Sequence, residues 1–276
     1  MQKSVRFSLF ILAFFFILVA PTRAQLYKKK NVTALLGAFS DEVKLLEESV
    51  SHKRVRTVHG IPFTTGKLNG RKVVIALTGI GKVNAAMTTT LMLQKFRPSE
   101  VLFTGIAGGL NPELLPGDIV IGRETTYHDF GYITFQKQAT RATRNPITGE
   151  YNPVYFKADS ILLAKTLEAA GKVTLKTASE TRRAPKVVVG RIVTGDVFVS
   201  SEEKVNQLLT DFEADATEME GAAVAQICHQ QQVPCIVIRS LSDKANGTAR
   251  EDMLNFLSVA ARNSAALVLE ILKEIK

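Results

Sequence analysis

Short apolar runs alternate with segments whose apolar residues recur at helical spacing, and this alternation constrains the chain more than any other feature. Strands are expected at residues 32–37, 72–78, 100–104, 118–121, 186–194 and 234–240. Helices are expected at 41–52, 81–96, 159–170, 200–209, 220–230 and 250–275, the fourth capped by Ser200 or Ser201. A further strand at 63–68 is joined to 72–78 by Asn69-Gly70, a hairpin turn signal. Apolar strands separated by helices imply a largely buried sheet with helices on both faces. Residues 133–157 break the pattern: they are polar, punctuated by Asn145-Pro146, Gly149 and Asn152-Pro153, and read as one long loop.

No repeat or low-complexity linker divides residues 31–276, which are read as one domain. Ahead of them, residues 1–24 carry Lys3 and Arg6, then a 14-residue apolar run from 7 to 20, then Pro21-Thr22-Arg23-Ala24. At about 1.5 Å per residue that run is too short for a bilayer core of roughly 30 Å. Basic start, short apolar middle and small residues before a cut read as a secretory signal peptide, so the protein is expected to be exported, with no membrane span once the peptide is removed. Its removal takes Lys3, Arg6 and Arg23 and no acid, which lowers the formal charge from +9 to +6. No stretch interleaves basic with aromatic residues, and no nucleic-acid partner is expected. The two cysteines, Cys228 and Cys235, cannot build a disulfide scaffold, and they fall in a helix and an apolar strand where free thiols are usually inert.

In sheets of this kind ligands gather where apolar strands end. Acids follow three strand ends: Glu42, then Glu218 and Glu220 after a short strand around 214–217, then Asp243. Equally, Glu42 and Glu220 could serve helix N-termini and Asp243 a turn. Two glycine-rich strand ends, 78–82 and 105–109, would let backbone approach a ligand, yet neither fits GxGxxG or GxxxxGK[ST]. His128 could be an acid, a base or a packed side chain, and the four histidines lack metal-ligand spacing. What remains is a carboxylate site with neither metal nor cofactor.

The segments Gly37-Ala38-Phe39-Ser40-Asp41-Glu42-Val43, 78–82, 104–110, Gly195-Asp196-Val197-Phe198, Glu218-Met219-Glu220 and Arg239-Ser240-Leu241-Ser242-Asp243 occur together and in order. In this combination, over nearly all of 31–276, the chain resembles the 5'-methylthioadenosine/S-adenosylhomocysteine nucleosidases of the nucleoside phosphorylase superfamily. The resemblance implies a three-layer α/β/α domain around a mixed, barrel-like sheet, usually a homodimer. It makes Asp243 the acid that protonates adenine N7 and Glu42 the base that deprotonates water attacking C1', with Arg239 beside Glu42 and Ser242 orienting Asp243. Glu220 would hold the ribose hydroxyls, with Glu218 in the same substrate-binding segment, Met219 would pack on the sugar, Phe198 would stack on the base and the backbone of Val199 would read its edge. Phe130 and Tyr132 resemble a segment lent to the neighbouring subunit's 5'-tail pocket.

Three features depart from the family: Ile106 stands where a small hydroxyl residue is usual, 133–154 is an insertion, and a signal peptide is unusual for an enzyme whose usual substrates arise in the cytoplasm. Three rivals follow from the same resemblance. Phosphorylases of this fold hold phosphate with an arginine and a serine, where this chain has Phe103 and Ile106, which cannot ligate an anion. Secreted storage proteins share the fold, but such a protein has no reason to keep Glu42, Glu220 and Asp243 together. A hydrolase of 6-amino-6-deoxyfutalosine would suit a remodelled tail pocket.

Overall fold

The computed structural model describes residues 29–134, 137–178 and 183–275; the signal-peptide reading of 1–24 falls outside them. The first half of the domain contains β1 (Thr33–Gly37), α1 (Ser40–Glu48), β2 (Ser51–Val58), β3 (Ile61–Leu68), β4 (Arg71–Leu77), α2 (Lys82–Phe96), β5 (Glu100–Phe103) and β6 (Ile106–Gly109). There follow β7 (Ile119–Tyr127), β8 (Gly131–Thr134), β9 (Lys137–Thr140) and β10 (Phe156–Lys157), then α3 (Ser160–Ala170), β11 (Val187–Thr194) and α4 (Glu202–Phe212). The chain ends with β12 (Ala216–Glu218), α5 (Gly221–Gln230), β13 (Cys235–Asp243) and α6 (Ala249–Glu274).

One mixed sheet runs β10-β7-β11-β12-β6-β13-β5-β1-β4-β3-β2. A further antiparallel pairing of β13 with β7 closes β7, β11, β12, β6 and β13 into a ring, the barrel-like core that the resemblance implied. The strands are buried on both faces because successive residues feed different cores. In β1, Ala34 and Leu36 join the cluster that contains Ala85, Met92 and Leu93 of α2 and Ala222 to Cys228 of α5. Leu35 joins the opposite cluster, with Val43 and Leu46 of α1, Leu162 of α3 and Leu267 to Leu272 of α6. Helices therefore cover both sides, as the unbroken apolar runs demand.

Three expectations change. The first helix stops at Glu48 rather than His52, and Ser51–Val58 is a strand on the sheet edge, almost wholly exposed. Its residues Ser51-His52-Lys53-Arg54-Val55-Arg56-Thr57 offer no apolar face, so periodicity could not reveal it. The strand expected at 118–121 runs on to Tyr127, its second half polar but paired along β11. The described residues of the loop expected at 133–157 contain regular pairing: β8 pairs with β9, Arg144 bridges Tyr151, and β10 joins the main sheet beside β7.

Candidate active site

Glu42 sits in the first turn of α1, just past the end of β1, and is 2% exposed. Its carboxylate folds back on its own chain and accepts the N–H groups of Ala38 and Phe39 (2.9 Å for the latter), while Oε1 accepts the N–H of Ile106 across the strand end at 3.1 Å. Two glycines make room for it. A Cβ on Gly105 would lie 2.7 Å from Oε1, and one on Gly37 would lie 3.0 Å from Oε2. Burial raises the Glu42 pKa above the ordinary carboxylate value, against the opposing pull of the Arg239 charge and the three backbone donors. The charge of Arg239, the residue expected beside Glu42, favours the ionised form, but burial is the larger effect.

Arg239 lies elsewhere in hydrogen-bonding terms. It donates to Glu218 Oε2 at 2.7 Å and to the carbonyl oxygens of Phe103 and Ile238, with its guanidinium 4.0 Å from the Phe103 ring centroid. Glu218 is spent on the fold. Besides Arg239 it accepts the Thr194 hydroxyl and the N–H groups of Glu220 (3.1 Å) and Gly221 (2.7 Å). These last two are unsatisfied donors at the start of α5, so Glu218 performs the capping that the N-cap residue Glu220 does not. The consequence for Glu218 is a supporting place rather than the substrate contact expected from sequence. The consequence for Glu220 is freedom: its carboxyl turns to accept the Gly81 N–H at 2.8 Å. Burial, then the neighbouring negative charge of Glu218, push the Glu220 pKa up to about 8.

Asp243 ends β13, 2% exposed, with Oδ2 accepting the Ser242 hydroxyl at 2.8 Å and Oδ1 accepting the Ala245 N–H at 2.8 Å. The orienting role expected of Ser242 thus has its hydrogen bond. Burial raises the Asp243 pKa, opposed by those two donors and reinforced by the negative charge of Asp252. Asp243 pairs with Gly108 of β6, where a Cβ would come 2.9 Å from Oδ1, and Ile106 at the start of the same short strand is the donor to Glu42. Glu42 in turn adds to the upward shift of Glu220. The three acids therefore meet at one end of the barrel, around β6.

The rim is built by loops that these strands release. Phe198, 48% exposed, and buried Val199 follow β11, Met219 is half-buried beside Glu220, and Phe130 and Tyr132 are exposed. Sequence reasoning missed how the rim is fastened. Lys82 Nζ grips both Asp129 oxygens at 2.6 and 2.7 Å, the Lys82 N–H binds Asp196 Oδ1 at 2.8 Å, and the Asp196 N–H binds Asp129 Oδ2 at 2.8 Å. The signal was the 78–82 glycine turn, whose backbone donors meet carboxylates of the chain rather than only a ligand. His128 is a packed residue: a Cβ on Gly195 would lie 2.3 Å from its imidazole, and burial lowers its pKa. No group of three or more metal-binding side chains occurs among the described residues.

A barrel of this topology with buried carboxyls at one end defines a known class: the pattern of the phosphorylase superfamily matches residues 32–273. The chain is 38% identical over 247 residues to the 5'-methylthioadenosine/S-adenosylhomocysteine nucleosidase of Bacillus thuringiensis subsp. konkukian, covering 88% of this chain and 99% of that one. Among solved structures, the same nucleosidase from Neisseria meningitidis in complex with methylthio-immucillin-A superposes with a TM-score of 0.76 at 35% identity, over 89% of this chain and all of that one. Futalosine hydrolase of Helicobacter pylori gives 0.74 at 28% identity, covering 89% of this chain and 98% of that one. This protein belongs to the 5'-methylthioadenosine/S-adenosylhomocysteine nucleosidase family.

Proposed function

We propose that this protein hydrolyses the N-glycosidic bond of 5'-modified adenosines, 5'-methylthioadenosine, S-adenosylhomocysteine and 5'-deoxyadenosine, releasing adenine. The observation that carries the reading is the pairing of two buried carboxyls of raised pKa with different surroundings, Asp243 held by a hydroxyl and one N–H, Glu42 by three N–H groups and the Arg239 charge. A carboxyl pushed toward its protonated form by burial and a neighbouring acid suits proton donation, and a carboxylate held by three backbone donors and a nearby cation suits proton acceptance. Asp243 gives its proton to N7 as the C1'–N9 bond breaks and its electron pair stays with adenine. Water adds to C1' and yields a proton to Glu42. A positioned acid contributes about 10²–10⁴-fold to such a step. Glu220 binds the ribose hydroxyls, Met219 packs on the sugar, Phe198 stacks on the base and the Val199 backbone meets its edge. Arg239 acts through Glu218 and its charge rather than by touching water.

Water rather than phosphate is supported by Phe103 and Ile106, both buried and apolar where an anion would need ligands. Hydrolysis of 6-amino-6-deoxyfutalosine is the second reading, favoured by the 133–154 insertion next to Phe130 and Tyr132 and by the similarity to a futalosine hydrolase. A homodimer, usual among the relatives the chain resembles, is supported by the exposure of the apolar side chains Ile80, Val83, Met87, Phe130, Tyr132 and Phe198, which a second copy would cover while lending its Phe130 and Tyr132 to the tail pocket. Export is proposed on the composition of residues 1–24. The test is incubation of the chain from residue 25 with 5'-methylthioadenosine, S-adenosylhomocysteine, 5'-deoxyadenosine and inosine, without and then with phosphate. Free adenine from the first three without phosphate is expected, abolished in Asp243→Asn and Glu42→Gln. Silence on every compound would favour a storage protein.

A further inference from the structure

Residues 49–99 contain nine Lys and Arg and not one Asp or Glu, although the whole chain has 26 acids in 276 residues. The formal charge of the whole chain is +9, so its other residues balance one another and this stretch carries the excess. It folds into β2, β3 and β4, the outer edge of the main sheet, and α2, which packs on them. Two of the nine are paired: Arg71 with Glu100 at 2.7 Å and Lys82 with Asp129 at 2.6 Å. The other seven are exposed, and none makes an ion pair with a described residue.

Strand register places most of them together. Arg54 stands opposite Thr65, Arg56 opposite Phe63, and Lys67 opposite Lys72. Side chains alternate along a strand, so residues 63, 65 and 67 of β3 share one face. Phe63 shows which face: its ring meets Phe96 of α2 at 5.1 Å between centroids. Arg54, Arg56, Lys67 and Lys72 therefore lie on the α2 side of the sheet edge, and Lys95 and Arg97 flank Phe96 at the end of α2. The Arg97 carbonyl oxygen accepts the Lys30 N–H at 2.7 Å, which brings exposed Lys29 and Lys30 to the same place. This is the far end of the domain from the acids. Lys82, in the rim, starts the 15-residue α2, about 22 Å from its other end. Lys72 lies at the start of β4, parallel to β1, whose opposite end leads to Glu42.

Cations on β2 blunt an open sheet edge, and Lys95 suits the negative end of α2. Neither reason reaches Lys67 and Lys72, which face each other directly across β3 and β4, an arrangement that repulsion disfavours. Shape narrows the partner. The cations spread over three strands and a helix end rather than along a groove, and no Phe or Tyr of the stretch is exposed for a base to stack on. That footprint suits a broad anionic surface. Residues 1–28, which include the apolar run at 7–20, join the domain at Lys29 on this same face.

We propose that this face docks the protein on the anionic headgroups of a lipid bilayer, through charge and without insertion. The carboxyl site, at the opposite ends of α2 and β1, then opens toward water. Each Lys or Arg near such a surface contributes about fivefold in binding.

Vesicles of phosphatidylcholine with about one-third phosphatidylglycerol are the probe. They are sedimented with the chain from residue 25, which contains every described residue. At about 0.1 M salt the protein should pellet with these vesicles, stay in solution with pure phosphatidylcholine, and be released near 1 M salt, where the screening length falls to about 3 Å. The double variants Arg54→Gln/Arg56→Gln and Lys67→Gln/Lys72→Gln should each bind about thirtyfold more weakly. Lys165→Gln/Lys172→Gln, which removes equal charge at α3 on the other side of the sheet, should bind as the wild type does. All three variants should keep the far-ultraviolet dichroism of the wild type. Failure to pellet with the acidic vesicles, or equal binding by all four proteins, would overturn the proposal. Retention by duplex DNA without binding to the vesicles would also overturn it and assign the face to nucleic acid.

Discussion

Replacing Glu220 with glutamine should remove a pH dependence of stability that one carboxyl imposes on the chain. Glu220 is 5% exposed, and burial together with the charge of Glu218 moves its pKa from 4.5 up to about 8. Both influences vanish on unfolding. Below the unfolded value the native and unfolded chains each hold the proton, and the full stability is present. Above it the native chain keeps a proton that the unfolded chain has released, so each further pH unit costs about 1.4 kcal/mol until the pH passes the folded value. Between pH 6 and pH 8 the loss from this group is therefore about 2–3 kcal/mol. Glutamine keeps an acceptor for the Gly81 N–H but does not titrate. Urea unfolding of the two proteins at several pH values, compared as a difference, isolates the effect, because Glu42 and Asp243, whose pKa values burial also raises, titrate in both. The variant should gain on the wild type steadily as the pH rises. Two parallel stability curves across that range would refute the reasoning.

Glu218→Gln should destabilise the chain by about 3–5 kcal/mol in denaturant titrations, because it leaves the buried Arg239 guanidinium without its counter-charge. Gly105→Ala should cut turnover sharply while the far-ultraviolet dichroism is retained, since the new methyl would stand 2.7 Å from Glu42 Oε1 and displace the carboxylate. Lys82→Met should raise KM more than it lowers kcat, because it unfastens the Asp129 and Asp196 loops that frame Phe198 without touching the acids; an unchanged KM would contradict the fastening.

The fold was legible where burial leaves a pattern. Residues such as Val101, Leu102 and Phe103 of β5 send alternate side chains into two cores and read as an unbroken apolar run, and the Asn69-Gly70 hairpin announced itself through turn chemistry that the structure bears out with positive φ at both residues. The edge strand at 51–58 was not legible, because nothing on it is buried. Within the site, the resemblance pointed to acids that the fold brings together at one end of the barrel, but it could not divide labour inside Glu218-Met219-Glu220. Which of two acids two residues apart caps α5 and which turns to the cleft depends on Thr194 and Arg239, 24 and 21 residues away along the chain. Likewise the need for Gly37 and Gly105 is visible only once Glu42 is seen folded against them. Spacing records local structure; these are long-range contacts.

The most direct measurement is the fate of oxygen from labelled water. With 5'-methylthioadenosine, phosphate and H₂¹⁸O all present, the account predicts that the label enters the C1' hydroxyl of the released sugar, and that Glu42→Gln stops its incorporation. A sugar 1-phosphate that carries no label, or full labelling by the Glu42→Gln variant, would contradict it.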